Sequence, residues 1–445
     1  MKRYHVTTFG CQMNAHDSER ITGMLEGQGL EAADSAEDAD VIVFNTCTIR
    51  EKPDQTFYAR LDHAKGMKRR RPGTIIAVGG CLVEAQRDNL FAQFPFVDVA
   101  FGPGRIADLG NHLAVNAGRA AATGTGLYGI GDEREFASEL PARRNREAQA
   151  WVQISMGCNM KCSYCIVPAV RGREKSRSAT DIIREINQLA ADGVREVTLL
   201  GQNVNSYGKD LPGERRPTFA KLLHDVDAID GIERIRYTSP HPAHMNQDVI
   251  DAMFECDAVC EQMHLPLQSG STRVLKAMRR TYSQERFLDL VGRVRDRMPD
   301  IALTTDIIVG FPGETEAEFL ETVKVCEEVR FDGAYTFIFS PRSGTEAADM
   351  VDLPHDEKQA RLAHLINVVR GISAEKLQAQ VGTRVEVLVE GASSRDANRL
   401  TGRTRSNTTI NFAGDAPAGS LVDVDIVHAT TGTLLGRQCV DTVVH

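Results

Sequence analysis

A chain of 445 residues exceeds what one hydrophobic core organises and implies two or three domains, and its 42% hydrophobic and 25% charged residues exclude a disordered or fibrous protein. A net charge of −9 argues against general affinity for polyanions, while leaving room for local basic runs at 65–71, 143–146, 171–177 and 395–405. No apolar run approaches the roughly 20 residues that span a bilayer and the amino terminus lacks the apolar core of a signal peptide, so a cytoplasmic protein without membrane contact, working as a monomer, is expected.

Strand and helix signals alternate through residues 1–117: "YHVTTFG", an amphipathic stretch, "VIVFN", a second helix, then "TIIAVGG". This order predicts a parallel sheet flanked by helices, with ligands gathering at the carboxyl ends of its strands. Residues 118–150 lack apolar periodicity and read as a linker. Six further strands, "WVQIS", "EVTLL", "RIRYTS", "EQMHLPL", "ALTTDIIVG" and "AYTFIFS", alternate with helices over 151–377, which predicts a partial (β/α)6 barrel with its site at the strands' carboxyl ends. A long helix from about His355 leads into residues 378–445, where short β runs between Gly and Asn turns predict a small all-β barrel. The fold class is therefore α/β with a carboxyl-terminal β module.

Ten cysteines in a cytoplasmic chain point to metal binding or redox chemistry rather than disulfides. Cys158, Cys162 and Cys165 crowd into eight positions at the end of the first barrel strand, and no fourth Cys or His at finger spacing completes a zinc site. Thiolates also hold Fe–S clusters, and three of them on a four-iron cluster leave one iron free for a ligand. Zinc and plain packing remain the alternatives. Cys11, Cys47 and Cys81 each follow a predicted strand of the first domain, so these thiols converge on one sheet edge despite spacings of 36 and 34 residues. Cys256, Cys260, Cys326 and Cys439 read as structural.

The spacing Cys-x3-Cys-x2-Cys with Tyr164 before the last cysteine resembles the radical S-adenosylmethionine (SAM) signature. With "GCQMN", "NTC" and "GC" ahead of it and a TRAM-like β module behind, nearly the whole chain resembles the methylthiotransferases. "RGREKSR", "LLGQNVNSYG", "TSPHP", "HLPLQSGS" and "TTDIIVGFPGE" are similar to the branch acting on N6-dimethylallyladenosine beside the anticodon of tRNA. The resemblance implies a transferase with two [4Fe–4S] clusters, one on Cys158, Cys162 and Cys165 and an auxiliary one on Cys11, Cys47 and Cys81. It further implies one SAM as methyl donor and one as radical source, replacing the adenine C2 hydrogen with a methylthio group. Threonylcarbamoyladenosine or a ribosomal protein is the alternative substrate, and a non-enzymatic Fe–S redox sensor that binds RNA is the alternative of another class. One departure is Ala169 and Val170, where the family has a Tyr-Thr pair.

Strand-end position adds SAM-contact candidates: Tyr164, Gly201, Gln202, Asn203, Ser239, His241, Gln268, Ser269, Asp306 and Gly310. The tRNA anticodon loop is the expected partner, with Arg171, Arg173, Arg395, Arg399, Arg403 and Arg405 as candidate RNA contacts. These motifs identify neither the reductant nor the sulfur donor.

Overall fold

The computed structural model describes residues 2–48, 51–87, 89–116, 127–129, 135–144, 146–213 and 216–439. Much of the expected linker and residues 440–445 lie outside the described residues. The first domain is built from β1 (Arg3–Thr8), α1 (Gln12–Gly27), β2 (Glu31–Ala32), β3 (Val41–Thr46), α2 (Glu51–Arg70), β4 (Ile75–Gly80), α3 (Cys81–Gln86), α4 (Asn89–Gln93), β5 (Val99–Phe101), α5 (Ile106–Asn116) and β6 (Leu127–Gly129). Its sheet runs β2-β1-β3-β4-β5-β6 with every pair parallel. Both faces are covered, which explains why β3 is apolar at successive positions: Val41 and Val43 pack with Ile21 and Leu25 on one face, Ile42 and Phe44 with Phe57 and Leu61 on the other.

Part of the expected linker belongs to this domain instead. Leu127–Gly129 adds the sixth strand, Ala137 is buried beside Ile21, and Arg20 donates to the Leu140 carbonyl at 2.6 Å. Such a segment is held through backbone and single residues, so it carries no apolar period.

The second domain contains β7 (Gln149–Gln153), β8 (Ser155–Met156), α6 (Val167–Arg171), β9 (Lys175–Ser176), α7 (Ala179–Ala191), β10 (Glu196–Leu200), α8 (Phe219–Asp227), β11 (Arg234–Tyr237), α9 (Gln247–Glu255), β12 (Gln262–His264), α10 (Thr272–Ala277), α11 (Gln284–Arg297), β13 (Ala302–Val309), α12 (Glu316–Val329) and β14 (Gly333–Ile338). Six of its strands form two parallel three-stranded sheets, β7-β10-β11 and β12-β13-β14, joined by a parallel bridge between Ile235 and Val259, and β8 with β9 forms a separate antiparallel pair. This is a barrel of six strands in chain order. Ser178 starts α7 by accepting the Asp181 amide N–H, and Thr315 with Glu318 forms a capping box on α12.

Helix α13 (His355–Gln378) packs on β14 and α12 and leads into a closed barrel, β15 (Arg384–Ala392), β16 (Leu400–Thr404), β17 (Thr409–Ala413), β18 (Leu421–Ala429) and β19 (Leu434–Gln438). This β module docks at the amino-terminal ends of the barrel strands. Arg234, at the start of β11, donates to Glu386 at 2.8 Å and to the Arg403 carbonyl, while Arg236 donates to the Thr404 and Arg405 carbonyls and to Glu196.

Candidate functional site

In the first domain, β1, β3 and β4 are adjacent, and the chain leaves their carboxyl ends at Cys11, Cys47 and Cys81. The β1–β3 neighbourhood is also where the strand order reverses, the usual ligand position in such sheets. Close approach is enforced by glycine. A Cβ on Gly10 would lie 2.4 Å from Cys47 Cβ, and one on Gly80, at φ 96°, would lie 2.2 Å from the Thr46 carbonyl oxygen. Asn14 ties the turns together by donating to the carbonyls of Phe9 at 2.9 Å and Thr46 at 2.7 Å. Burial pushes the Cys81 thiol up and the adjacent Arg171 guanidinium pulls it back.

The second triad sits on the loop between β8 and α6. Gly157 takes φ 73°, where a Cβ would lie 2.2 Å from the Arg173 carbonyl oxygen, and this turn sets Cys158. Backbone bonds from Cys158 to the Gly172 carbonyl and from Cys165 to the Cys162 carbonyl, both 3.1 Å, close the loop. The Met160 amide N–H points at Cys158 Sγ at 3.4 Å, and Arg280 Nη1 at Cys162 Sγ at 3.5 Å. Burial raises the Cys165 thiol to about 12 and Cys158 in the same direction.

All ten cysteines are free thiols. Among the described residues no three His, Cys, Asp or Glu side chains close into a cage for a single ion. A four-iron cluster asks for a wider arrangement, because each thiolate binds its own iron. Two separate sets of three thiols, with N–H donors aimed at sulfur and turns that exclude Cβ atoms, fit that group.

Gly201, Gln202, Asn203, Ser239, His241, Gln268 and Gly310 follow the carboxyl ends of β10, β11, β12 and β13, whereas Asp306 lies within β13. Gln202 Oε1 accepts the Gly157 amide N–H and so braces the turn before Cys158. Asn203 meets His244 Nδ1 at 3.0 Å, and Asn205 exchanges bonds with the His241 backbone, locking the loops after β10 and β11 together. His241 Nε2 is buried without a hydrogen-bond partner, its ring lying against those of Tyr282 and His244. Ser239 and Gln268 adopt φ 57° and 69°, left-handed conformations that are uncommon for non-glycine residues. Asp306 lies 3.4 Å from His264 Nε2 inside the barrel. Gly201 accepts no Cβ because Ser155 Oγ would stand 2.5 Å away. Gly310 donates its amide N–H to Glu314, whose carboxylate is paired with the equally buried Arg361 at 2.9 Å. Tyr164 packs against the cluster of Val274, Met278, Phe311 and Phe339. Ser269 is placed differently from the expectation: it is fully buried against Thr322 of α12, 3.5 Å away.

The arginines divide. Arg173 and Arg395 are exposed, Arg399 pairs with Asp396 in its own loop, and Arg403 donates to the Asn407 carbonyl. Two expectations need correction. Arg171 is 4% exposed and donates to Cys81 Sγ at 3.3 Å and Asn14 Oδ1 at 2.9 Å, so it faces thiols and not RNA. Arg405 reaches back to Glu261 and the Asp257 and Val259 carbonyls, so it fastens the β module to the barrel. Both lie in basic runs whose sequence resembles solvated surface. Asn14 and Glu314 lie in the quoted motifs without being singled out there, and Arg280 and Arg361 fall outside them.

Residues 152–326 match the radical SAM superfamily, 378–438 the TRAM domain and 3–102 an uncharacterized protein family designated UPF0004. A tRNA-2-methylthio-N(6)-dimethylallyladenosine synthase of Thermoanaerobacter sp. is 46% identical over 440 residues, covering 98% of this chain and 92% of that protein. The chain belongs to this synthase family. An Acidothermus cellulolyticus synthase is 49% identical over 443 residues, covering 98% and 88%. Among solved structures, the radical SAM methyltransferase TsrM of Kitasatospora setae, with cobalamin and a [4Fe–4S] cluster bound, superposes with a TM-score of 0.56 at 15% identity over 78% of this chain and 77% of that one, which speaks to fold alone. Synthase-family membership also agrees with a β module fixed to the radical SAM barrel, and no helix among the described residues is long and apolar enough to cross a membrane.

Proposed function

We propose that this chain places a methylthio group on C2 of the adenine of N6-dimethylallyladenosine, next to the anticodon of tRNA. The observation that carries the reading is the pair of separate, open thiol triads at the carboxyl ends of two neighbouring sheets, in a chain nearly half identical to full-length synthases. When bound, the two clusters and SAM, one molecule as methyl donor and one as radical source, supply the electron, the carbon radical and the methylated sulfur needed to replace a C–H bond that is neither acidic nor a leaving group.

The chain's own residues hold and orient these groups. Cys158, Cys162 and Cys165 hold the radical cluster, and Cys11, Cys47 and Cys81 the auxiliary one. Gln202, Asn203 and Asn205 keep the strand-end loops fixed around the first triad, while Ser239 and Gln268 pay conformational strain there. His241 presents its unpaired Nε2 as a neutral ring for a polar ligand group. Arg173 and Arg395, exposed, and Arg399 supply positive charge for tRNA phosphates. The test is mass spectrometry of tRNA nucleosides from a strain lacking the protein: 2-methylthio-N6-dimethylallyladenosine disappears and its unthiolated precursor accumulates. Persistence of the methylthiolated nucleoside would overturn the reading.

A further inference from the structure

Arg171 belongs by sequence to one thiol triad and by contact to the other. It ends α6, which starts two residues after Cys165, and α6 packs on α3, the helix that begins at Cys81. Its Nε donates to Cys81 Sγ at 3.3 Å, and its Nη2 to Asn14 Oδ1 at 2.9 Å and, more loosely, to Asp17 Oδ2 at 3.5 Å. Asn14 in turn holds the Phe9 and Thr46 carbonyls, just ahead of Cys11 and Cys47. One guanidinium therefore touches Cys81 directly and reaches the turns of the other two thiols through a single side chain.

A buried cation is costly unless partners offset it, and the one carboxylate in contact is its most distant partner. The closer bonds go to Cys81 and Asn14 on the thiol-bearing turns, so a cluster bound by the triad adds its negative charge on the side of the guanidinium away from Asp17's looser contact. A plain strut between domains already exists elsewhere: Glu185 of α7 holds both Arg20 of α1 and Arg177. At the other triad, Arg280 likewise aims at Cys162 Sγ, from within the same domain.

We propose that Arg171 is a positioning residue of the auxiliary site, lent by the radical barrel, which offsets the charge of the cluster on Cys11, Cys47 and Cys81 and makes its retention depend on the docking of the two domains. This rests on the reading that those cysteines hold a cluster. N–H bonds and positive charge at cluster sulfurs stabilise the reduced form and raise the reduction potential, and outer-shell partners typically govern metal affinity by roughly 10–100-fold.

The test uses the full chain with Cys158, Cys162 and Cys165 replaced by Ala, reconstituted anaerobically with ferrous iron and sulfide. This parent should hold about four irons; if it holds none, the cluster reading fails and the inference with it. Adding Arg171→Met should speed iron loss to a chelator by at least about tenfold and move the reduction potential to a more negative value, with Arg171→Lys intermediate. In the chain that keeps all its cysteines, Arg171→Met should retain about four irons, those of the radical site. A parent with four irons whose Arg171→Met version matches it in retention and potential overturns the inference. So does loss of both clusters together, which would make Arg171 a general prop of the fold.

Discussion

His241 is 6% exposed, and burial, with Arg280 adding to it, brings its pKa down to about 2; burial likewise takes neighbouring His244 to about 4. Both rings are neutral in the folded chain at neutral pH. The unfolded chain takes up their protons near 6.5, so the stability tied to the neutral rings is present above that pH and is lost as pH falls towards the folded values. Urea unfolding of the cluster-free chain should show His241 costing about 1 kcal/mol on going from pH 7 to 5.5, and His241→Asn should remove that share of the slope. An unchanged slope would contradict a buried neutral ring. At this scale the six cysteines are legible in the sequence because cysteine is rare and strand ends are easy to find. The arginines are not: Arg171 and Arg405 sit in runs that look like solvated surface, and only the packing of α6 and the return of β16 onto the barrel show where they go.

Among elements, the β module is joined to the barrel strands through arginine side chains, while its apolar core takes in Leu377 of α13. Arg234 and Arg236 point from β11 at carbonyls of β16 and its turn, and Arg405 points back at Glu261. Arg405→Ala should therefore loosen the joint, read as faster limited proteolysis between α13 and β15, around residues 379–383. Arg395→Ala with Arg399→Ala should instead weaken tRNA binding at unchanged proteolysis, and its salt dependence should flatten. If Arg405→Ala lowers RNA affinity while the cleavage rate stays at wild type, the assignments are reversed. The six barrel strands and the long helix are readable because short β-favouring stretches alternate with helical ones throughout residues 151–377. Strand β5, three residues long between β4 and β6, and the edge strand β6, inside an apparent linker, are not, because three residues pair through backbone and leave too few side chains to show a pattern.

On the scale of the whole molecule, the thiol triads lie at the carboxyl ends of the strands and the β module at the opposite ends of the barrel. An RNA that touches both runs along roughly 20 Å of barrel, the length of a five- or six-residue strand. Arg20, Glu185 and Arg171 dock the first domain on the barrel, and Arg171 ties the auxiliary triad to the helix that follows the radical one. Two clusters in one chain are what separate sulfur delivery from radical generation alone. Anaerobic reconstitution of the full chain, with iron and sulfide counted per protein, tests this most directly. About eight of each are expected, falling to about four when Cys11, Cys47 and Cys81 are replaced by Ala; about four in the unaltered chain, unchanged by that replacement, would mean that the amino-terminal thiols hold no cluster.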